Sequence, residues 1–256
     1  MLKIIDHHCH FEQLTQQEQH AALADFHVVG VASDYLSCCQ LLALKQHSAQ
    51  LDICLGIHPE HLDHYHDFPR VAELIKQHQS DIIGIGEIGL PYFSLVDMPA
   101  QQRIEYFKRG LILFEQFIKL ANQLGLPVNL HCVGDETWQA IECLNRYNIE
   151  RALFHWFAGS GDLMKAISDK GWFISVSPDV ITNTDYQNAV KNIPKACLCL
   201  ESDGPWPYEG QRGVPNMMLA VADKLGSMFD CTAQDIITIS QNNAHILWRI
   251  DALNSH

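Results

Sequence analysis

Eight short apolar runs, rich in β-branched residues, recur along this chain and alternate with stretches of helical character. That alternation limits the folds open to it. The candidate strands are Leu2–His8, His27–Ser33, Leu51–His58, Ile82–Glu87, Pro127–His131, Arg151–His155, Gly171–Ser177 and Ala196–Glu201. Near-continuous apolar strands separated by helices predict a parallel sheet covered on both faces. Eight such units in 256 residues point to one closed (β/α)8 TIM-type barrel, an α/β fold, with residues 1–256 forming a single domain.

The clearest helical pattern runs from about Pro99 to Leu124, where Phe107, Leu111, Phe114, Ile118 and Ala121 repeat at steps of three and four. The last helix is expected to start near Thr232, whose Thr-x-x-Asp spacing resembles a capping box with Asp in place of Glu. An open doubly wound sheet is the competing architecture, but no glycine-rich turn follows the first strand. The set Gly84, Gly86, Gly89 fits the G-x-G-x-x-G pattern but overlaps a strand, and Pro91 follows where a helix should begin.

In a parallel barrel the C-terminal strand ends converge on one mouth. This chain places an unusual set of side chains there. His8 and His10 stand two residues apart, hence on one face of an extended segment. Glu87, His131, His155 and Asp203 each sit at or just past the end of another apolar run. Four imidazoles and two carboxylates are too much polar surface to bury unpaired. They are the candidate metal ligands, and six groups exceed the four of one tetrahedral ion, which suggests two ions. The nitrogen and oxygen mixture suits zinc, manganese, iron or nickel better than calcium or magnesium.

Divalent ions acidify water and polarise an ester or amide oxygen, so the expected chemistry is hydrolysis. Glu87, with two oxygens, is positioned to bridge two ions, and Asp203 is the candidate general base. His58 ends a strand and is the candidate substrate contact. His61, His64 and His66, in the same histidine-rich segment, are expected to be solvated, while His7 and Cys9 face away from the His8 side. Neither a G-x-S-x-G elbow nor a Walker A loop is present, which argues against serine-hydrolase and P-loop chemistry.

A net charge of −13 is poorly suited to non-specific grip on a polyphosphate backbone, so nucleic-acid chemistry would need local cations. Of the nine cysteines, Cys54, Cys132, Cys197 and Cys199 lie in or beside apolar runs, as buried small hydrophobes do. With no signal peptide and no run near the ~18 apolar residues of a membrane span, the expectation is a cytoplasmic protein with free thiols. Nothing in the sequence calls for a membrane or an obligate protein partner.

Six motifs, in order, resemble those of the TatD family of metal-dependent hydrolases, within the amidohydrolase-like barrels. They are Asp6-His7-His8-Cys9-His10, Gly56-Ile57-His58-Pro59, Gly86-Glu87-Ile88-Gly89-Leu90, Leu126-Pro127-Val128-Asn129-Leu130-His131, Phe154-His155-Trp156-Phe157-Ala158-Gly159-Ser160 and Leu200-Glu201-Ser202-Asp203-Gly204-Pro205. Asn243 and Trp248 resemble the closing Asn and aromatic of the family's last helix. The resemblance implies a barrel with one or two divalent ions, zinc, magnesium or manganese. It assigns His8 and His10 to the first ion, Glu87 to a bridge, His131 and His155 to the second, and Asp203 to a ligand that is also the base.

The family's usual activity implies a deoxyribonuclease. Two departures weigh toward a small ester, lactone or amide instead. His131 is followed by Cys132-Val133, where the family carries an Arg, and Leu90 is followed by Pro91-Tyr92-Phe93. A basic residue such as Arg212 at the mouth would restore the lost phosphate-holding charge. A non-catalytic metal-binding barrel is the remaining alternative, disfavoured by the complete ligand set.

Overall fold

The computed structural model describes residues 3–250 of the chain. Eight parallel strands follow in sequential order around one sheet: β1 (Ile4–Cys9), β2 (Phe26–Val31), β3 (Leu51–Leu55), β4 (Gly84–Gly89), β5 (Val128–His131), β6 (Ala152–Phe154), β7 (Phe173–Val176) and β8 (Leu198–Leu200). The seam between β8 and β1 is drawn together beyond the strands. The Asp203 amide donates to the His8 carbonyl at 3.0 Å and the His10 amide to the Gly204 carbonyl at 2.8 Å. The expected (β/α)8 barrel is what the chain forms.

All but one of the strands are shorter than the apolar runs; β4 has the length of its run, Ile82–Glu87, but lies two residues further along. Those runs continue past the last ladder pair because Ser33, Ile57 and Ser177 remain buried as the chain turns over the barrel mouth. Of the first expected strand, Leu2 lies outside the described residues. The Gly84–Gly89 segment is strand β4, and its glycines serve packing rather than phosphate binding. A Cβ on Gly86 would stand 2.6 Å from Asn129 Cβ, and one on Gly89 would overlap the His131 carbonyl. Only glycine lets β4 approach β5 this closely.

The helices that cover the barrel begin where their caps dictate. The chain has α1 (Gln16–Asp25), α2 (Tyr35–Lys45), α3 (Phe68–Gln77), α4 (Ala100–Leu124), α5 (Thr137–Arg146), α6 (Gly161–Asp169), α7 (Thr184–Val190), α8 (Met218–Met228) and α9 (Ala233–Trp248). Helix α4 matches the predicted span, starts after Pro99 and stops at Gly125, whose φ of 65° only glycine adopts without strain. Its Phe114, Ile118 and Ala121 are buried as the periodicity required, with Phe107 and Leu111 partly so. The Thr232 capping box of α9 is present, with reciprocal hydrogen bonds to Asp235 of 3.1 and 2.9 Å.

Helix α9 locks the barrel floor through polar contacts: Asn243 Nδ2 donates to the Leu198 carbonyl at 2.8 Å, and Trp248 Nε1 to His7 Nδ1 at 3.0 Å. His7 is thereby committed to α9 and turned away from His8. All nine cysteines are free. No helix of the described residues is long and apolar enough to cross a membrane.

Candidate metal centre

The ladder is irregular where the site needs it. Register shifts between Asp6 and Cys9 in β1, and between Ile85 and Ile88 in β4. These irregularities bracket His8 and Glu87, as bulges do where a strand re-aims a side chain. Asp203 (φ 44°) and Trp156 (φ 39°) hold left-handed backbone that non-glycine residues rarely adopt. Asp203 belongs to the cluster, and Trp156 directly follows His155.

Glu87 lies at its centre, fully buried. Its two oxygens face different partners. Oε2 stands 3.4 Å from His8 Nε2 and 3.3 Å from His10 Nε2. Oε1 stands 3.2 Å from His58 Nε2, 3.0 Å from His131 Nδ1 and 2.8 Å from His155 Nε2. Asp203 Oδ1 completes the first side, 3.5 Å from His8 Nε2 and 3.7 Å from His10 Nε2. The structure thus brings together all six predicted ligands. His58, the expected substrate contact, packs against Glu87 and lines the cavity, forming a compact donor group with Glu87 and His131.

The donor geometry fits a divalent ion. Four ligands at tetrahedral zinc distances stand roughly 3.4 Å apart; the Nε2 atoms of His8 and His10 each stand 3.3–3.7 Å from Glu87 Oε2 and Asp203 Oδ1. His8 Nε2, Glu87 Oε2 and Asp203 Oδ1 are all buried without a hydrogen-bond partner, an arrangement that costs free energy unless a cation meets them. Electrostatics points the same way. Burial would raise the Glu87 pKa, yet the imidazoles of His58, His155 and His8 hold it well below the usual carboxylate range. Burial would lower His10, yet Glu87 and Asp203 push it up to about 9. His58 goes the other way, down to about 4, because its burial outweighs the pull of Glu87. Burial raises Asp203, partly offset by His8, His155 and His10. The centre of the cluster favours positive charge.

Several residues that orient the ligands escaped the sequence analysis. His8 Nδ1 donates to Asn129 Oδ1 at 2.8 Å, which leaves Nε2 as a lone-pair donor toward Glu87 and Asp203. Asn129 is itself fixed by donating to the His7 carbonyl at 3.1 Å. Fully buried Glu201 approaches His155 Nδ1 at 3.7 Å and accepts from the Ser175 hydroxyl. Glu60 accepts three backbone amides, from Tyr92, Phe93 and Ser94, at 2.7, 3.0 and 2.7 Å, and stands 3.5 Å from His131 Nε2. The usable signal was period two: Asn129 precedes His131, and Glu201 precedes Asp203, by two residues.

Above the cluster opens a cavity of about 1190 Å³. Its wall includes His61, which is exposed as expected but at the mouth. His66 is largely solvated, and His64, partly exposed, lies 3.7 Å from Asp67. Arg212 is not part of the wall: it is engaged by Glu18 at 3.0 Å and by the Gln13 carbonyl at 2.7 Å.

Comparison with known proteins agrees with this geometry. The model of the TatD-related DNase family matches residues 5–249. A Haemophilus influenzae protein named an uncharacterized metal-dependent hydrolase is 33% identical over 232 residues, covering 88% of this chain and 91% of that one. Human deoxyribonuclease TATDN3 is 27% identical over 203 residues, covering 75% and 72%. The crystal structure of the TatD homologue YjjV from Escherichia coli superposes with a TM-score of 0.83 at 23% identity, covering 97% and 99%, and shares the barrel. Fold, buried donor cluster and family match converge: the chain belongs to the TatD family and is a metal-dependent hydrolase.

Proposed function

We propose that this protein hydrolyses phosphodiester and related ester bonds at a site holding one or two divalent ions, of zinc, manganese or magnesium, and that the hydrolase unit is the whole chain. One observation carries the reading: the two oxygens of Glu87 face two separate imidazole sets. His8, His10 and Asp203 would hold one ion, His131 and His155 the other, with Glu87 shared. His58, 3.2 Å from Glu87, stands between ligand and substrate contact.

When bound, the ions acidify a water molecule and polarise the oxygen of the scissile group. Asp203 uses Oδ1 toward His8 and His10, which leaves Oδ2 to accept the proton of the attacking water and return it to the leaving group. Asn129 holds His8 in the orientation the ligand set requires, and Glu201 places its charge 3.7 Å from His155 Nδ1. The buried barrel floor excludes bulk water beneath the cluster.

For the substrate, the name of the human relative supports the phosphodiester bonds of DNA. A second reading, a small ester, lactone or amide, is favoured by a specific observation: among the described residues, no Lys or Arg lines the cavity. A cytoplasmic location fits the free cysteines. The test is Asp203→Asn, assayed against single-stranded DNA, bis(p-nitrophenyl) phosphate and a lactone with each ion. Loss of the base predicts a fall of roughly 10²–10⁴-fold in kcat with the fold intact. Turnover equal to wild type would overturn the role of Asp203.

A further inference from the structure

The wall of the cavity carries a chemistry that ligand geometry does not require. Phe93, Trp156 and Trp206 all line it. Trp156 directly follows His155, and the Trp206 amide donates to the Asp203 carbonyl at 2.9 Å, so both indoles hang from the backbone that presents ligands. Their rings meet edge to face with centroids 5.8 Å apart, and Tyr208 backs Trp156 at 5.4 Å. The strained φ of Trp156 is kept where its ring faces the cavity. Phe93 stands on the His131 side, its ring 6.1 Å from that imidazole, on a loop pinned by the three amide bonds to Glu60.

Phe93 is 60% and Trp206 56% exposed. Large apolar rings left open beside a polar centre mark a binding surface. Apart from its histidines, the charge on the wall has one sign. Outside the ligand set it carries Glu60, Asp179 and Asp185 and, among the described residues, no Lys or Arg, and Asn183 Nδ2 holds Asp179 with a 2.9 Å bond. Sites for single-stranded nucleic acid pair stacking rings with a basic groove that tracks the phosphates. Here the rings are present and the groove is acidic.

We propose that Trp156, Trp206 and Phe93 form a substrate subsite for the planar apolar group of a compact ester bearing at most one negative charge, and that Asp179 and Asp185 turn nucleic-acid polymers away. The proposal rests on the hydrolase reading for where the scissile bond lies, and takes the small-ester reading of the substrate over the DNA reading. A single negative charge is met by the ions, whereas each further phosphate of a polymer would approach carboxylates with no counter-charge. Aromatic contact supplies affinity for the apolar group without requiring charge.

The experiment uses two probes: methyl p-nitrophenyl phosphate, with one ring and one charge, and a fluorescein-labelled oligodeoxythymidylate. Tryptophan fluorescence follows binding of the first, and anisotropy binding of the second, to the metal-free and metal-loaded protein at physiological salt; kinetics follow on the loaded form. Wild type should bind the aryl phosphate saturably and the oligonucleotide not at all. Trp206→Ala should weaken aryl binding by about tenfold, within the range measured for ring stacking, and raise KM more than it lowers kcat. Asp179→Lys/Asp185→Lys should confer saturable, salt-sensitive oligonucleotide binding. Tight oligonucleotide binding by wild type, or unchanged aryl binding in Trp206→Ala, would overturn the proposal. Absence of turnover with every ion would overturn the hydrolase reading alone, because the two binding measurements still decide the subsite.

Discussion

His8 and Asn129 are joined by a buried hydrogen bond of 2.8 Å that fixes which nitrogen of His8 is free. With Nδ1 committed to Asn129, only Nε2 can serve as a donor to a metal, and it is the atom aimed at Glu87 and Asp203. An amide 121 residues away therefore sets the tautomer of the first ligand.

Asn129→Ala removes that partner and also the bond to the His7 carbonyl. The expected result is a fall of about 10–100-fold in metal affinity, measured by competition with a chromogenic chelator. Thermal or urea unfolding should show a loss of about 1–3 kcal/mol, the penalty for leaving a buried group unpaired.

Glu201→Gln keeps the volume and the Ser175 contact but removes the negative charge near His155 Nδ1. His155 is held well above the ordinary histidine pKa, with burial opposing and Glu87 and Glu201 prevailing. Removing one of those carboxylates should weaken His155 as a ligand and lower metal affinity or kcat by about 10–100-fold. Values equal to wild type in both would show that Glu201 is structural only.

Away from the site, Asp52 accepts from Lys45 and His27, each at 2.7 Å. Burial raises its pKa, but His27 and Lys45 outweigh that and hold it below the ordinary aspartate value. A group depressed in the folded state adds stability that is present above its unfolded pKa of about 3.9 and fades as pH falls through the lower folded value. Asp52→Asn should therefore destabilise the protein by about 1–3 kcal/mol at pH 7. The gap from wild type should narrow as the pH is taken below about 3.9 in urea-unfolding series. A gap independent of pH would assign the effect to packing.

The barrel was legible because its strands are continuous apolar runs, and burial on both faces is what a parallel sheet requires. The six candidate ligands were legible because each stands at or beside the end of such a run. Strand ends were overextended because residues such as Ser33 and Ser177 stay buried after the ladder stops. Asn129, Glu201 and Glu60 escaped because their roles depend on ring nitrogens or amides 32 to 121 residues away, across strands whose register the sequence does not encode locally. Arg212 was a reasonable source of positive charge at the mouth; Glu18, the third residue of α1, claims it instead.

The shared carboxylate is the centre of the account, and metal content tests it most directly. Wild-type protein and Glu87→Gln, purified alike and shown to be folded by circular dichroism, would be analysed for bound zinc, manganese and magnesium by mass spectrometry. The account predicts about one to two ions per wild-type chain and loss of metal from every site in the variant, since each side of the cluster depends on one Glu87 oxygen. Metal content in Glu87→Gln equal to wild type would contradict it.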